Sequence, residues 1–152
     1  MTRRIDYLKV ARDGVRILYE MERYLKGCGL ESSLLNLVKV RASQINSCAF
    51  CIDMHTKDAR AEGETEQRLY ALSAWRETPF FTDRERAALE WTEKLTLVST
   101  NGVPDSLYEA VREQFNEPEL VNLTLAVTAI NSWNRIAISM RSEPGSYQRK
   151  QD

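Results

Sequence analysis

Apolar side chains recur along nearly the whole chain at steps of three and four residues. This limits the fold more than any other feature, because the spacing matches one face of a helix and not the two-residue alternation of a strand. Leu8, Ala11, Val15, Leu18 and Met21 form one such stripe, which Gly27 and Gly29 are placed to close, since glycine tolerates the left-handed conformation that ends helices. A second helix is expected from about Ser32, with Leu34, Leu35, Val38 and Ala42 inward, fading at Gln44 to Ser47. Asn46 and Ser47 are both suitable N-caps, their side-chain oxygens able to accept from first-turn amides, so a third helix is expected from about Cys48 to Ala61, stopped by Gly63.

A short helix should follow over Glu66 to Trp75. Thr82 and Glu85 then fit a capping box that starts a helix running to about Val98. Asn101-Gly102-Val103-Pro104 reads as a turn and Asp105 to Gln114 as a short helix. Pro118 suits a first helical position, and the run from Glu119 to about Met140 is apolar on more than one face, as a central or subunit-shared helix would be. The expected fold is therefore all-α. At 152 residues it should form one domain, residues 1–152, with a loose tail over about 143–152.

With 43% hydrophobic and 28% charged residues and a net charge of −1, the chain has the composition of a water-soluble domain, without the field that would recruit nucleic acid or an anionic membrane. No segment approaches the roughly 18 unbroken apolar residues of a membrane span. The N-terminal MTRRIDYLKVARDG lacks the apolar core of a secretion signal, so a cytoplasmic location is expected. In a reducing compartment a close cysteine pair is more often redox-active or metal-binding than structural, which directs attention to Cys48 and Cys51.

Cys48, Cys51 and His55, the chain's single histidine, stand at i, i+3 and i+7, which places two sulfurs and an imidazole in one stripe of a helix. A Cys-x-x-Cys pair at a helix start suits redox work, because free amides and the helix dipole favour the reactive thiolate. His55 lies one turn beyond Cys51, within reach as base or proton donor. Other readings are inert packing of the thiols and structural zinc, which needs four ligands where only Cys28 remains to join the set. A c-type haem site would need histidine at Ile52, and a thioredoxin-like fold would need a βαβ pattern that is absent from the sequence. No metal or cofactor is expected, and Cys28 is most simply a structural thiol.

The block Leu37 to Arg60, LVKVRASQINSCAFCIDMHTKDAR, resembles the signature of the alkylhydroperoxidase D-like (AhpD-like) branch of the carboxymuconolactone decarboxylase family. Weaker similarity continues through Trp75–Phe81, Arg84–Leu89 and Asn131–Arg135. The resemblance implies an all-α subunit of a trimer or hexamer, with its redox core over about residues 31–63. It implies that Cys51 attacks a hydroperoxide, Cys48 resolves the product as a disulfide, His55 relays protons and an external dithiol restores the pair. Cys48, at the first turn, is expected to be the more exposed sulfur.

Family members often carry a glutamate twelve residues before the first cysteine, where this chain has Asn36, which cannot accept a proton at neutral pH. Glu90 and Glu93 are candidate substitutes. Asn131, Trp133, Asn134 and Arg135 are expected to serve interface or core hydrogen bonding rather than catalysis. Two other functions stay open: lactone decarboxylation, which requires an acid or base but no dithiol, and a non-enzymatic redox sensor whose disulfide changes its partners.

Overall fold

The computed structural model describes residues 2–149, and among them every regular element is helical. In chain order these are α1 (Tyr7–Val10), α2 (Arg12–Lys26), α3 (Ser32–Ile45), α4 (Ala49–Ala61), α5 (Glu66–Ala71), a 3-10 segment (Leu72–Glu77), α6 (Asp83–Thr96), α7 (Val98–Asn101), α8 (Asp105–Arg112) and α9 (Glu117–Met140). Thr82 caps α6 in the reciprocal box expected of Thr and Glu85. Asn116 and Glu119 form a second box at the start of α9, with Pro118 in its first turn. The predicted first helix is divided at Ala11 (φ −131°, ψ 41°), and Leu8, expected inward, is 42% exposed on the separate turn α1.

Helix α3 lies at the centre, packed on α4, α6 and α9, while α2 lies against α9. Every residue from Leu34 to Val40 is buried, including Asn36 and Lys39, so α3 is enclosed on all sides rather than along one stripe. The principal core joins Leu34, Leu35 and Val38 to Trp91, Phe115, Leu123 and Val127. A second cluster packs Leu37 and Val40 of the same helix against Leu72, Trp75 and Leu89. A third is small and contains both Cys48 and Cys51.

Residues 143–149, read from composition as part of a loose end, lie along α4. The Gly145 amide donates to Asp53 at 3.1 Å, the Tyr147 hydroxyl to Asp58 at 2.7 Å, and Arg149 to the Asp58 carbonyl at 3.1 Å. The rest of the expected tail, Lys150 to Asp152, lies outside the described residues. Among the described residues no helix is long and apolar enough to cross a membrane.

Candidate functional site

The loop between α3 and α4 sets the sulfurs in place. Ser47 adopts a left-handed conformation (φ 57°) just past the end of α3, and the Cys48 amide returns to the Ser43 carbonyl at 2.9 Å while the Ser47 amide bonds Gln44. This is the paired hydrogen-bond pattern of a Schellman helix end. Asn46 and Ser47 therefore terminate α3 and do not cap α4 as expected; the N-cap position belongs to Cys48, which makes no side-chain capping bond. The Asn46 amide group instead donates to Asn131 at 3.0 Å and Asn134 at 2.8 Å, and Asn134 donates to Ser43 at 3.0 Å. The polar residues of α9 thus tie the end of α3 in place beside the sulfurs.

Cys48 and Cys51 form a disulfide across the first turn of α4, with Cα atoms 5.4 Å apart. Both are 1% exposed, so the expected greater exposure of Cys48 is not found. The turn into α4 folds Cys48 back under α9, where Ala42, Ile130 and Ala137 enclose the pair and Phe50 and Trp133 flank it. Cys28 is free and packs against the principal core, outside this cluster.

His55 follows on the same face of α4 and is 6% exposed. Burial, reinforced by the Lys39 ammonium, pushes its pKa down to about 3, so the imidazole is neutral at physiological pH. Its Nε2 is buried without a hydrogen-bond partner among the described residues, and its Nδ1 stands 4.0 Å from Asp58 Oδ2. Lys39 is itself buried and paired with Glu22 of α2 at 2.6 Å, as a buried ammonium requires.

Asn36 donates to Glu62 at 2.8 Å, and Ser32 donates to the same oxygen at 2.6 Å. A carboxylate from the end of α4 thus stands beside Asn36. Neither carboxylate considered from the sequence has this place. Glu93 accepts from Arg41 at 2.7 Å, Trp75 at 2.8 Å and Arg76 at 2.6 Å. Burial pushes the Glu93 carboxyl up, but these hydrogen bonds together hold it below the usual carboxylate range. Glu90 pairs with Arg76 at 3.6 Å.

Lys39, Glu22, Asp58, Glu62 and Tyr147 were all missed by reading the sequence. Only Lys39 carried a signal, as a charge inside an apolar helical run. Among the described residues no three His, Cys, Asp or Glu side chains converge to hold a metal ion.

The profile of the carboxymuconolactone decarboxylase family matches residues 14–94. The uncharacterised protein YdfG of Bacillus subtilis is 48% identical over 146 residues, covering 96% of this chain and 99% of its own. A crystal structure of a protein of unknown function from Agrobacterium tumefaciens, described as a candidate antioxidant defence protein AhpD, superposes with a TM-score of 0.92 at 41% identity, covering 96% of this chain and all of its own. An uncharacterised peroxidase-related protein from Ralstonia eutropha, described as an alkylhydroperoxidase AhpD core, shares the fold with a TM-score of 0.80 at 20% identity, covering 91% of this chain and 74% of its own.

Proposed function

The chain belongs to the carboxymuconolactone decarboxylase family, in its AhpD-like branch, and on that premise we propose that it is a thiol-dependent peroxidase reducing hydroperoxides through Cys51 and Cys48. The observation that carries this reading is the pairing of the two sulfurs across the first turn of α4, with a neutral histidine one turn on in the same buried stripe.

Neutral His55 takes the proton from the Cys51 thiol, and the first-turn amides of α4 stabilise the thiolate. The thiolate attacks one peroxide oxygen. The O–O bond breaks, the alcohol leaves with a proton returned by His55, and Cys51 becomes a sulfenic acid. The Cys48 thiol then attacks the Cys51 sulfur, releasing water and forming the disulfide. An external dithiol reduces it by two exchange steps and is itself oxidised to a disulfide. Burial of both sulfurs favours small substrates and reductants over folded protein partners.

We place this cycle in the cytoplasm, where dithiol reductants operate, and in a trimer or hexamer. Exposed Val121 and Tyr108, beside the half-buried Leu125, supply an apolar face of the kind subunit contacts cover.

The test is sustained peroxide consumption with a dithiol donor. Wild type should turn over many times, and Cys51→Ser should lose that activity. Unchanged turnover in Cys51→Ser overturns the proposal, oxidation once without turnover supports a sensor, and activity on carboxymuconolactone that survives loss of both cysteines supports decarboxylation.

A further inference from the structure

His55 has two ring nitrogens in different surroundings. Nδ1 faces the Asp58 carboxylate at 4.0 Å, whereas Nε2 is buried and has no hydrogen-bond partner among the described residues. An ionised carboxylate only accepts hydrogen bonds, so a nitrogen turned toward it is stabilised as N–H, and a neutral imidazole has only one such proton. The opposite tautomer would set two acceptors against each other and bury an N–H with nothing to receive it.

The orientation of Asp58 is fixed from the segment after α9. The Tyr147 hydroxyl donates to Oδ1 at 2.7 Å, leaving Oδ2 as the oxygen nearest His55. Burial raises the Tyr147 pKa to about 12, with the Asp58 hydrogen bond and charge adding to it, so the hydroxyl remains a donor throughout the physiological range. That segment is anchored on both sides of Tyr147. Gly145 bonds Asp53, Lys57 bonds the Tyr147 carbonyl at 3.3 Å, and Arg149 bonds the Asp58 carbonyl and pairs with Glu62 at 3.8 Å.

We propose that Asp58 and Tyr147 are positioning residues for His55: together they fix its Nδ1–H tautomer and leave buried Nε2 as the nitrogen that accepts the thiol proton. The 4.0 Å separation fits a contact that tightens when the imidazole gains charge, or one completed by a single water. Lys39, whose charge also acts on the imidazole, is already paired with Glu22, and elsewhere along α4 Asp53 is paired with Lys57 and Glu62 with Asn36, Ser32 and Arg149. Asp58 is thus the carboxylate turned toward His55, and a segment distant in sequence holds it there.

The purpose of this arrangement rests on the peroxidase reading, but its geometry does not, and one experiment separates them. Because the chain has a single histidine, histidine-selective nitrogen-15 labelling gives one imidazole to observe in the oxidised 152-residue chain at neutral pH. Wild type should show a protonated Nδ1 and a bare Nε2. Asp58→Ala and Tyr147→Phe should each shift population toward Nε2–H, while Asp58→Asn, which keeps an acceptor oxygen, should restore the wild-type pattern. Cys51 oxidation by peroxide should slow about tenfold or more in Asp58→Ala, as general-base assistance is weakened. A wild-type Nε2–H tautomer, or no change in Asp58→Ala, overturns the proposal; no change in Tyr147→Phe removes Tyr147 from it. A chain with the expected tautomer but no peroxide turnover contradicts the peroxidase reading alone.

Discussion

Ser47 and His55 each hold a state that their residue type does not favour in isolation. A left-handed backbone costs an L-residue about 1–2 kcal/mol that glycine is spared, and Ser47 occupies it at φ 57°. Ser47→Gly should therefore raise the unfolding free energy by about 1 kcal/mol, read from the denaturant midpoint at unchanged slope. For His55 the folded pKa of about 3 lies below the ordinary 6.5. Between those values the unfolded chain binds a proton that the folded chain cannot, so stability falls as pH drops through this window. The loss is about 1.4 kcal/mol per pH unit, or about 2 kcal/mol between pH 6.5 and pH 5. Denaturation of wild type and His55→Asn at the two pH values should show this component in wild type only. A parallel decline in both would contradict the burial of a neutral imidazole.

At the scale of the elements, what was legible in the sequence is what local chemistry decides. Thr82 and Glu85 announce α6, and Pro118 announces the start of α9, because a cap or a missing amide acts within one turn. The start of α4 was misread because Asn and Ser serve equally at an N-cap and at a left-handed helix end, and only the Ser43 carbonyl receiving the Cys48 amide decides between them. The full enclosure of α3 was hidden for a related reason. Buried Asn36 and Lys39 look like surface residues until Glu62 and Glu22 arrive from other helices. The Asn46, Asn134 and Ser43 network holds α3 to α9 beside the sulfurs. Asn134→Ala should remove two hydrogen bonds, one from Asn46 and one to buried Ser43, and cost about 1–2 kcal/mol by chemical denaturation, whereas a loss below about 0.5 kcal/mol would show the network to be dispensable.

Across the whole molecule, two apolar clusters fill the bundle, and the third, smaller one holds the disulfide where α3, α4 and α9 meet. The two sulfurs and His55 were legible as a stripe because one helix carries their spacing. The groups packed and bonded around them were not, since Lys39 lies on α3, Glu22 on α2 and Tyr147 beyond α9, and no local pattern links those segments. The proposed role of Cys51 as the sulfur that attacks peroxide can be checked by trapping that step. In reduced Cys48→Ser treated with one equivalent of hydroperoxide, the resolving thiol is gone, so the first product should persist long enough for peptide mass spectrometry. One added oxygen atom is expected on Cys51 and none on Cys28. An unmodified Cys51, or oxygen found on Cys28 in its place, would contradict that role.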